Sequence, residues 1–284
     1  MSIDHYENFP VASWLCPPRL RPAVRALYAY ARTADDLADE GDALSAERLA
    51  ALDAYEADLH AIARGQAPSP RWRAVFDALA PVVRGYRLPL DLLCDLLSAF
   101  RQDVVQPSYP DRAALLDYCR RSADPVGRLV LHLHGIDDAA SLDRSDAICT
   151  ALQLANFWQD LGVDTRRGRL YVPQADCRRT GVDPDALLAG RDSPGLEALV
   201  HDLVGWTRER MLRGAPLVHR VGGRTGWELR LVVQGGLTIL DKVERLGARV
   251  LHERPTLGRS DLPRMAVRAL AMRPPHGAAA ERTA

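Results

Sequence analysis

Two acidic stretches about 120 residues apart constrain this chain more than any other feature. The first runs from Arg32 to Asp39 and carries Asp35, Asp36 and Asp39. The second runs from Gln153 through Asn156 and Asp160 to Asp164. In both, carboxylates recur at helical spacing within sequence that otherwise reads as buried helix. Like charges four apart destabilise a helix by about 0.2–0.5 kcal/mol in water, and by more where water is scarce. Something positive must therefore hold each stripe together.

The periodicity around both stretches is helical. From Arg19 to Glu40, Leu20, Ala23, Leu27, Ala31, Ala34 and Ala38 share one apolar face, and Gly41 is a natural stop. Tyr28, Arg32, Asp35, Asp36 and Asp39 fall along its flank within a sector of roughly 100°, which makes that flank a cavity wall. A second central helix is predicted over 141–163. Its apolar residues cover most of the circumference, yet Gln153, Asn156, Asp160 and Asp164 project within about 80° of one another, stacked at roughly 6 Å intervals. Burying such a stripe without a counter-charge would cost several kcal/mol, on the order of a broken buried ion pair.

Ordinary amphipathic helices are predicted over 45–64, 70–86 with an interruption at Pro81, and 89–104. A helix from Asp111 to His134 must kink or break at Pro125 and Gly127. Beyond a basic loop, Thr165-Arg166-Arg167-Gly168-Arg169, and a short extended piece from Leu170 to Pro173, helices are predicted over 183–190, 196–213, 227–252 and 261–272. Gly235 and Gly236 inside the long one point to close helix packing or a smooth ligand wall. No strand pattern is long enough to build a sheet. The expected architecture is all-α, a single domain over 1–273 forming a helical bundle around a central apolar cavity, with 274–284 reading as a disordered tail.

Composition excludes several classes. With 37 basic and 37 acidic residues the formal charge is zero, so no global field draws the chain to nucleic acid. Lys242 is the only lysine among those basic residues, which removes most Schiff-base candidates and leaves many arginines suited to phosphate. The five cysteines are widely spaced with no C-x-x-C, so neither a disulfide framework nor a clustered zinc motif is indicated. Asp4, His5 and Glu7 argue against a signal peptide, and no run is long enough to span a membrane. A cytoplasmic protein is expected, with peripheral contact to the inner membrane face compatible with an apolar substrate. His132 and His134 read as satisfied core or surface residues, and the five tryptophans show no common spacing.

Two acidic stripes facing each other across a cavity suit hard divalent ions such as Mg²⁺, bound by one or two carboxylates each plus phosphate oxygens. A diphosphate fits between them, with Arg32 and Arg169 placed to reach its oxygens. The metals would neutralise the leaving group as its C–O bond breaks. Apolar helices would supply a tunnel for a prenyl chain, and Tyr28, Tyr118, Phe157 and Tyr171 could stabilise a passing cation.

The residues carrying these features resemble the squalene and phytoene synthases, the head-to-head arm of the all-α isoprenoid synthases. Ser13-x-Leu15 through Arg25, Tyr28 and Arg32 to Asp35-Asp36-x-x-Asp39 is similar to that family's first aspartate-rich signature. Gln153-x-x-Asn156-x-x-x-Asp160-x-x-x-Asp164, followed by Arg169-x-Tyr171-x-Pro173, is similar to its second. The resemblance places Asp35, Asp36, Asp39, Asn156, Asp160 and Asp164 around Mg²⁺ and diphosphate, and Ser13, Tyr28, Arg32, Gln153, Arg169 and Tyr171 along the substrate. It gives the catalytic roles to Asp35, Asp39, Asp160, Asp164 and Tyr28.

Within the family, His5 to Ser13 and Arg121 to Arg128 look most like the bacterial hydroxysqualene synthases of the hopanoid pathway. Asp124 and Pro125 stand where first-condensation relatives carry a small apolar stretch. The implied reaction is that of a carbon–oxygen lyase: presqualene diphosphate and water give hydroxysqualene and diphosphate, with no NADPH. Condensation of two prenyl diphosphates to presqualene diphosphate, squalene or phytoene is the alternative. A non-catalytic helical scaffold is the alternative of another class, and it would predict eroded aspartates.

Overall fold

The computed structural model describes residues 16–106 and 108–273. Ser13, the rest of the lead-in and the expected tail lie outside the described residues. Thirteen α-helices occur among the described residues: α1 Arg21–Asp39, α2 Ser45–Ala63, α3 Arg73–Tyr86, α4 Leu90–Val105, α5 Arg112–Ser122, α6 Asp124–Leu133, α7 Ala139–Gln159, α8 Leu161–Arg166, α9 Gln174–Arg179, α10 Pro184–Leu188, α11 Leu196–Gly214, α12 Gly223–Leu246 and α13 Leu262–Ala271. Strands are absent there. An isolated parallel bridge between Ser108 and Leu170 is what the extended piece after the basic loop amounts to. No helix among these residues is long and apolar enough to cross a membrane.

Buried apolar residues gather in two clusters. One joins α1 to α4 and includes Leu129 and Leu133 of α6; the other runs from Ala99 of α4 through α5, α7, α11 and α12 to Leu251. α1 lines the first cluster with Ala23, Ala26, Tyr30, Ala34 and Ala38. α7 runs through the second and buries eleven residues around nearly its whole circumference, from Ser141 to Gln159. Each acidic stripe is thus anchored by a different core.

Several expected boundaries move, each for a local reason. α3 continues through Pro81, which is exposed, so water can satisfy the Asp77 carbonyl that the missing N–H leaves open. The interruption comes earlier, where a 3-10 turn over Pro70–Trp72 precedes α3. The helix expected from Asp111 to His134 breaks at Ala123, and Pro125 falls within the first turn of α6, where its missing N–H has no intrahelical partner to lose. Gly127 lets α6 approach α7: a Cβ there would stand 2.3 Å from Ser145 Oγ and 2.6 Å from Cys149 Sγ. Gly236 packs close to Met211 and Leu152, the helix-packing alternative of the two expected there.

The second central helix is not continuous. Asp160 leaves helical geometry at φ −100° and ψ 12°, ending α7 and starting α8. The break is shallow. Asp160 N–H still donates to Asn156 at 2.8 Å, while its carbonyl accepts from Val163 and Asp164, each at 2.8 Å. Asp164 therefore sits on a new short helix that stays hydrogen-bonded to α7 through Asp160.

Candidate active site

α1 presents its stripe on one unbroken helix, and its counter-charges are partly local. Arg32 contacts Asp35 at 3.2 Å and Asp36 at 2.7 Å, both within one turn. Asp39 is served from far away: Arg169 donates Nη1 to Oδ2 at 2.9 Å and Nη2 to Oδ1 at 2.5 Å, a two-pronged pair that joins the end of α1 to the loop after α8. Arg167 stands 3.7 Å from the same carboxylate. On the other side, Arg254 grips both oxygens of Asp160 through Nε and Nη2. The segment holding Arg254 lies hard against α7 and α8, with Gln159 Nε2 donating to the Pro255 carbonyl at 2.7 Å.

The two stripes share one electrostatic field. Burial pushes the Asp164 carboxyl up to about 7, reinforced by Asp160 and Asp39 and opposed by Arg169 and Arg167. Asp35 is pushed up to about 6 by burial and by Asp39, with Arg32 opposing. Protons thus take part of the counter-charge that arginines do not supply. Four carboxylates, Asp35, Asp39, Asp160 and Asp164, offer only hard oxygen donors, and the set attracts cations, as the guanidinium groups on Asp39 and Asp160 show. That is the donor chemistry Mg²⁺ requires. Gln153 is half-buried and Asn156 is exposed, although α7 is otherwise packed nearly all round. Their stripe therefore opens onto free space.

Beside α1 lies a cavity of about 420 Å³. Its walls are Val24, Leu27 and Ala31 of α1, Leu93, Leu96 and Phe100 of α4, and Val126, Leu129 and Val130 of α6. Tyr28, Arg32 and Asp35 form its polar rim. An apolar pocket bordered by acidic and basic groups is shaped for a molecule with a charged head and a hydrocarbon body.

Sequence reasoning missed Asp103. It lies near the end of α4 and accepts the hydroxyls of Tyr118 at 2.6 Å and Tyr171 at 3.0 Å. Burial raises its carboxyl to about 6 against the pull of those two donors. Tyr171 stacks flat on Phe157 with ring centroids 3.9 Å apart and planes 4° from parallel, and Tyr118 and Tyr109 pack around them. The available signal was periodicity: Asp103 continues the buried face that Leu92, Leu96 and Ala99 set on α4. Arg254 was missed as well, and as a loop arginine it carried no sequence signal.

Other expected residues resolve plainly. Asp124 is buried, accepts from Thr150 of α7 at 2.8 Å and is pushed up to about 7 by burial. Asp124 and Pro125 are not among the residues walling the apolar cavity. His132 bonds the Tyr86 carbonyl, and His134 bonds the Val130 carbonyl and the Thr225 hydroxyl, the satisfied roles expected of them.

The family model for squalene/phytoene synthase matches residues 4–261. A hydroxysqualene synthase from Sinorhizobium fredii is 35% identical over 84% of this chain and 78% of its own length. A second, from Rhodopseudomonas palustris, is 37% identical over 80% and 75%. Among solved structures, the squalene synthase HpnC from Alicyclobacillus acidocaldarius superposes with a TM-score of 0.78 at 40% identity, covering 86% of this chain and 90% of that one.

Proposed function

The chain belongs to the squalene/phytoene synthase family, and on that premise we propose that it converts presqualene diphosphate and water to hydroxysqualene and diphosphate with Mg²⁺. The observation that carries this reading is that Arg169, in the loop just past the second stripe, holds Asp39 of the first, that both act on the Asp164 carboxyl, and that an apolar cavity lined in part by Tyr28, Arg32 and Asp35 lies alongside. The naming of two relatives as hydroxysqualene synthases supports this choice of substrate within the family.

In this reading Asp35, Asp36, Asp39, Asn156, Asp160 and Asp164 hold Mg²⁺ and diphosphate. When bound, the metal supplies Lewis-acid neutralisation of the departing diphosphate. Arg32 and Arg169 are the protein's own cations for its oxygens, and each must release a carboxylate to reach them. Arg254 does the same from the Asp160 side. Tyr28 stands at the mouth of the apolar pocket that sequesters the hydrocarbon, while Gln153, Tyr171 and Ser13 line the substrate. Asp103 acts through others. By accepting a hydrogen bond from each phenol it fixes the Tyr118 and Tyr171 rings, and through Tyr171 the Phe157 ring stacked on it.

The balance is simple: the C–O bond to diphosphate breaks, water oxygen bonds to the rearranged carbocation, and one water proton leaves to solvent or diphosphate. No reductant enters. The test is a product assay on purified protein with Mg²⁺ and without NADPH, offered presqualene diphosphate or farnesyl diphosphate. Hydroxysqualene from the first substrate alone is the expected result. Presqualene diphosphate or a C30 hydrocarbon from the second would replace the substrate assignment and keep the site. No product from either would leave a helical scaffold.

A further inference from the structure

Behind the acidic helix, α2 and α4 bring together three side chains that belong to neither stripe. Glu56 and His60 lie one turn apart on α2, and Cys94 lies in the second turn of α4. One ligand atom from each is within 4.8 Å of the other two, with His60 Nε2 at 3.9 Å from Glu56 Oε1. Glu56 is oriented from outside the group: its Oε2 accepts from Arg101 at 2.6 Å, and Arg101 is held in turn by Asp53 at 2.9 Å. That bond directs the other carboxylate oxygen at His60.

We propose that Glu56, His60 and Cys94 form a binding site for a zinc-type divalent ion, bound through one carboxylate oxygen, one imidazole nitrogen and one thiolate. His60 is exposed, so the group can be reached from solvent. Mixed oxygen, nitrogen and sulfur donors suit zinc, whereas Mg²⁺ avoids imidazole and thiolate. The two kinds of metal therefore sort themselves between this site and the acidic stripes. Tetrahedral zinc with bonds of about 2.0–2.3 Å needs its ligand atoms about 3.3–3.8 Å apart. The three donors must close by about 1 Å, through rotation of the exposed His60 ring and a small shift of Glu56 against Arg101.

The carboxylates around Cys94 favour a cation, while burial of the thiol opposes its deprotonation. Cys94 is hydrogen-bonded to Glu56, and Asp91 and Asp95 add negative charge around it. Burial and these carboxylates keep the thiol protonated, up to about 11. Binding then exchanges the thiol proton for the metal: the S–H bond breaks, the S–metal bond forms and the proton leaves to solvent. The link would tie α2 to α4 directly behind α1. Tyr30 of α1 already donates to Leu93, the residue before Cys94, and Tyr55, the residue before Glu56, donates to Tyr30. A metal here would brace α2 and α4, the two helices to which Tyr30 of α1 is hydrogen-bonded, without touching the acidic stripes.

The inference is independent of the proposed reaction, and its test reads spectra. Chelator-treated full-length protein is titrated with Co²⁺. The expected result is a single-equivalent thiolate-to-cobalt charge-transfer band in the near ultraviolet, displaced by Zn²⁺ and untouched by excess Mg²⁺. Cys94→Ser, checked for helical content, removes the band, and His60→Ala weakens Co²⁺ binding at least tenfold. Asp35→Asn leaves the band unchanged, which separates this site from the acidic stripes. Absence of the band in the unmodified protein, or its survival in Cys94→Ser, overturns the proposal.

Discussion

The two acidic stripes carry similar chemistry on different supports. α1 holds Asp35, Asp36 and Asp39 on one continuous helix, and Arg32 compensates two of them within a single turn. The second stripe is interrupted at Asp160, so Asp164 rides on α8, and its arginine comes from 94 residues away. The first stripe is close to a property of its own helix. The second exists only once α7, α8 and the Leu251–Pro255 segment have packed. Arg169, in the loop just past the second stripe, ties that segment to Asp39 of the first across 130 residues.

If the stripes act as one site, removing a carboxylate from either should be equally damaging. Asp35→Ala and Asp160→Ala are each expected to lower kcat by about 10²–10³-fold or more with saturating Mg²⁺ while retaining helical content. Near-normal turnover in one of them alone would break the comparison. Stability should separate the local from the distant ion pairs. Arg169→Met leaves the half-buried Asp39 among like charges and is expected to cost about 1–3 kcal/mol in urea unfolding. Arg32→Met, on an exposed pair, should cost less than about 1 kcal/mol.

The break in the second stripe can be probed at Gly162, where a Cβ would stand 2.0 Å from the Leu251 carbonyl oxygen. Gly162→Ala should destabilise by about 1–3 kcal/mol by forcing α8 away from that segment. An unchanged unfolding midpoint would show that the contact is soft.

The smallest effect is on pH. The folded protein raises Asp164 to about 7 and Asp35 to about 6, above the ordinary carboxylate value, so the fold binds their protons more tightly than the unfolded chain does. Their contribution to stability is complete below about pH 4 and falls as pH rises toward 7. In metal-free protein, Asp164→Asn should match the wild-type Tm near pH 4 and exceed it by about 2–4 °C above pH 7, the shift made by roughly 1 kcal/mol. Mg²⁺ should shrink that gap by stabilising the wild type alone. A gap that grows toward low pH would refute the assigned direction.

Periodicity made α1, α2, α4 and α11 legible to within two residues, because a helix and its buried face depend on neighbours three and four positions away. Proline was a weaker guide. Pro81 was tolerated because it faces water, whereas the helix was interrupted at Ala123, just before Pro125. The bridge-region geometry at Asp160 had no sequence signal, since Asp160 continues the stripe as though the helix were unbroken.

By itself, the sequence determined an all-α chain, two carboxylate stripes and the apolar face beside the first, all readable from short-range helical geometry. Tertiary structure alone decided that Arg169 reaches Asp39, that Arg254 holds Asp160, and that Asp103 accepts from Tyr118 and Tyr171. Such partners lie 15 to 130 residues apart. Which of many arginines meets which aspartate depends on how the helices pack, and no local periodicity encodes that.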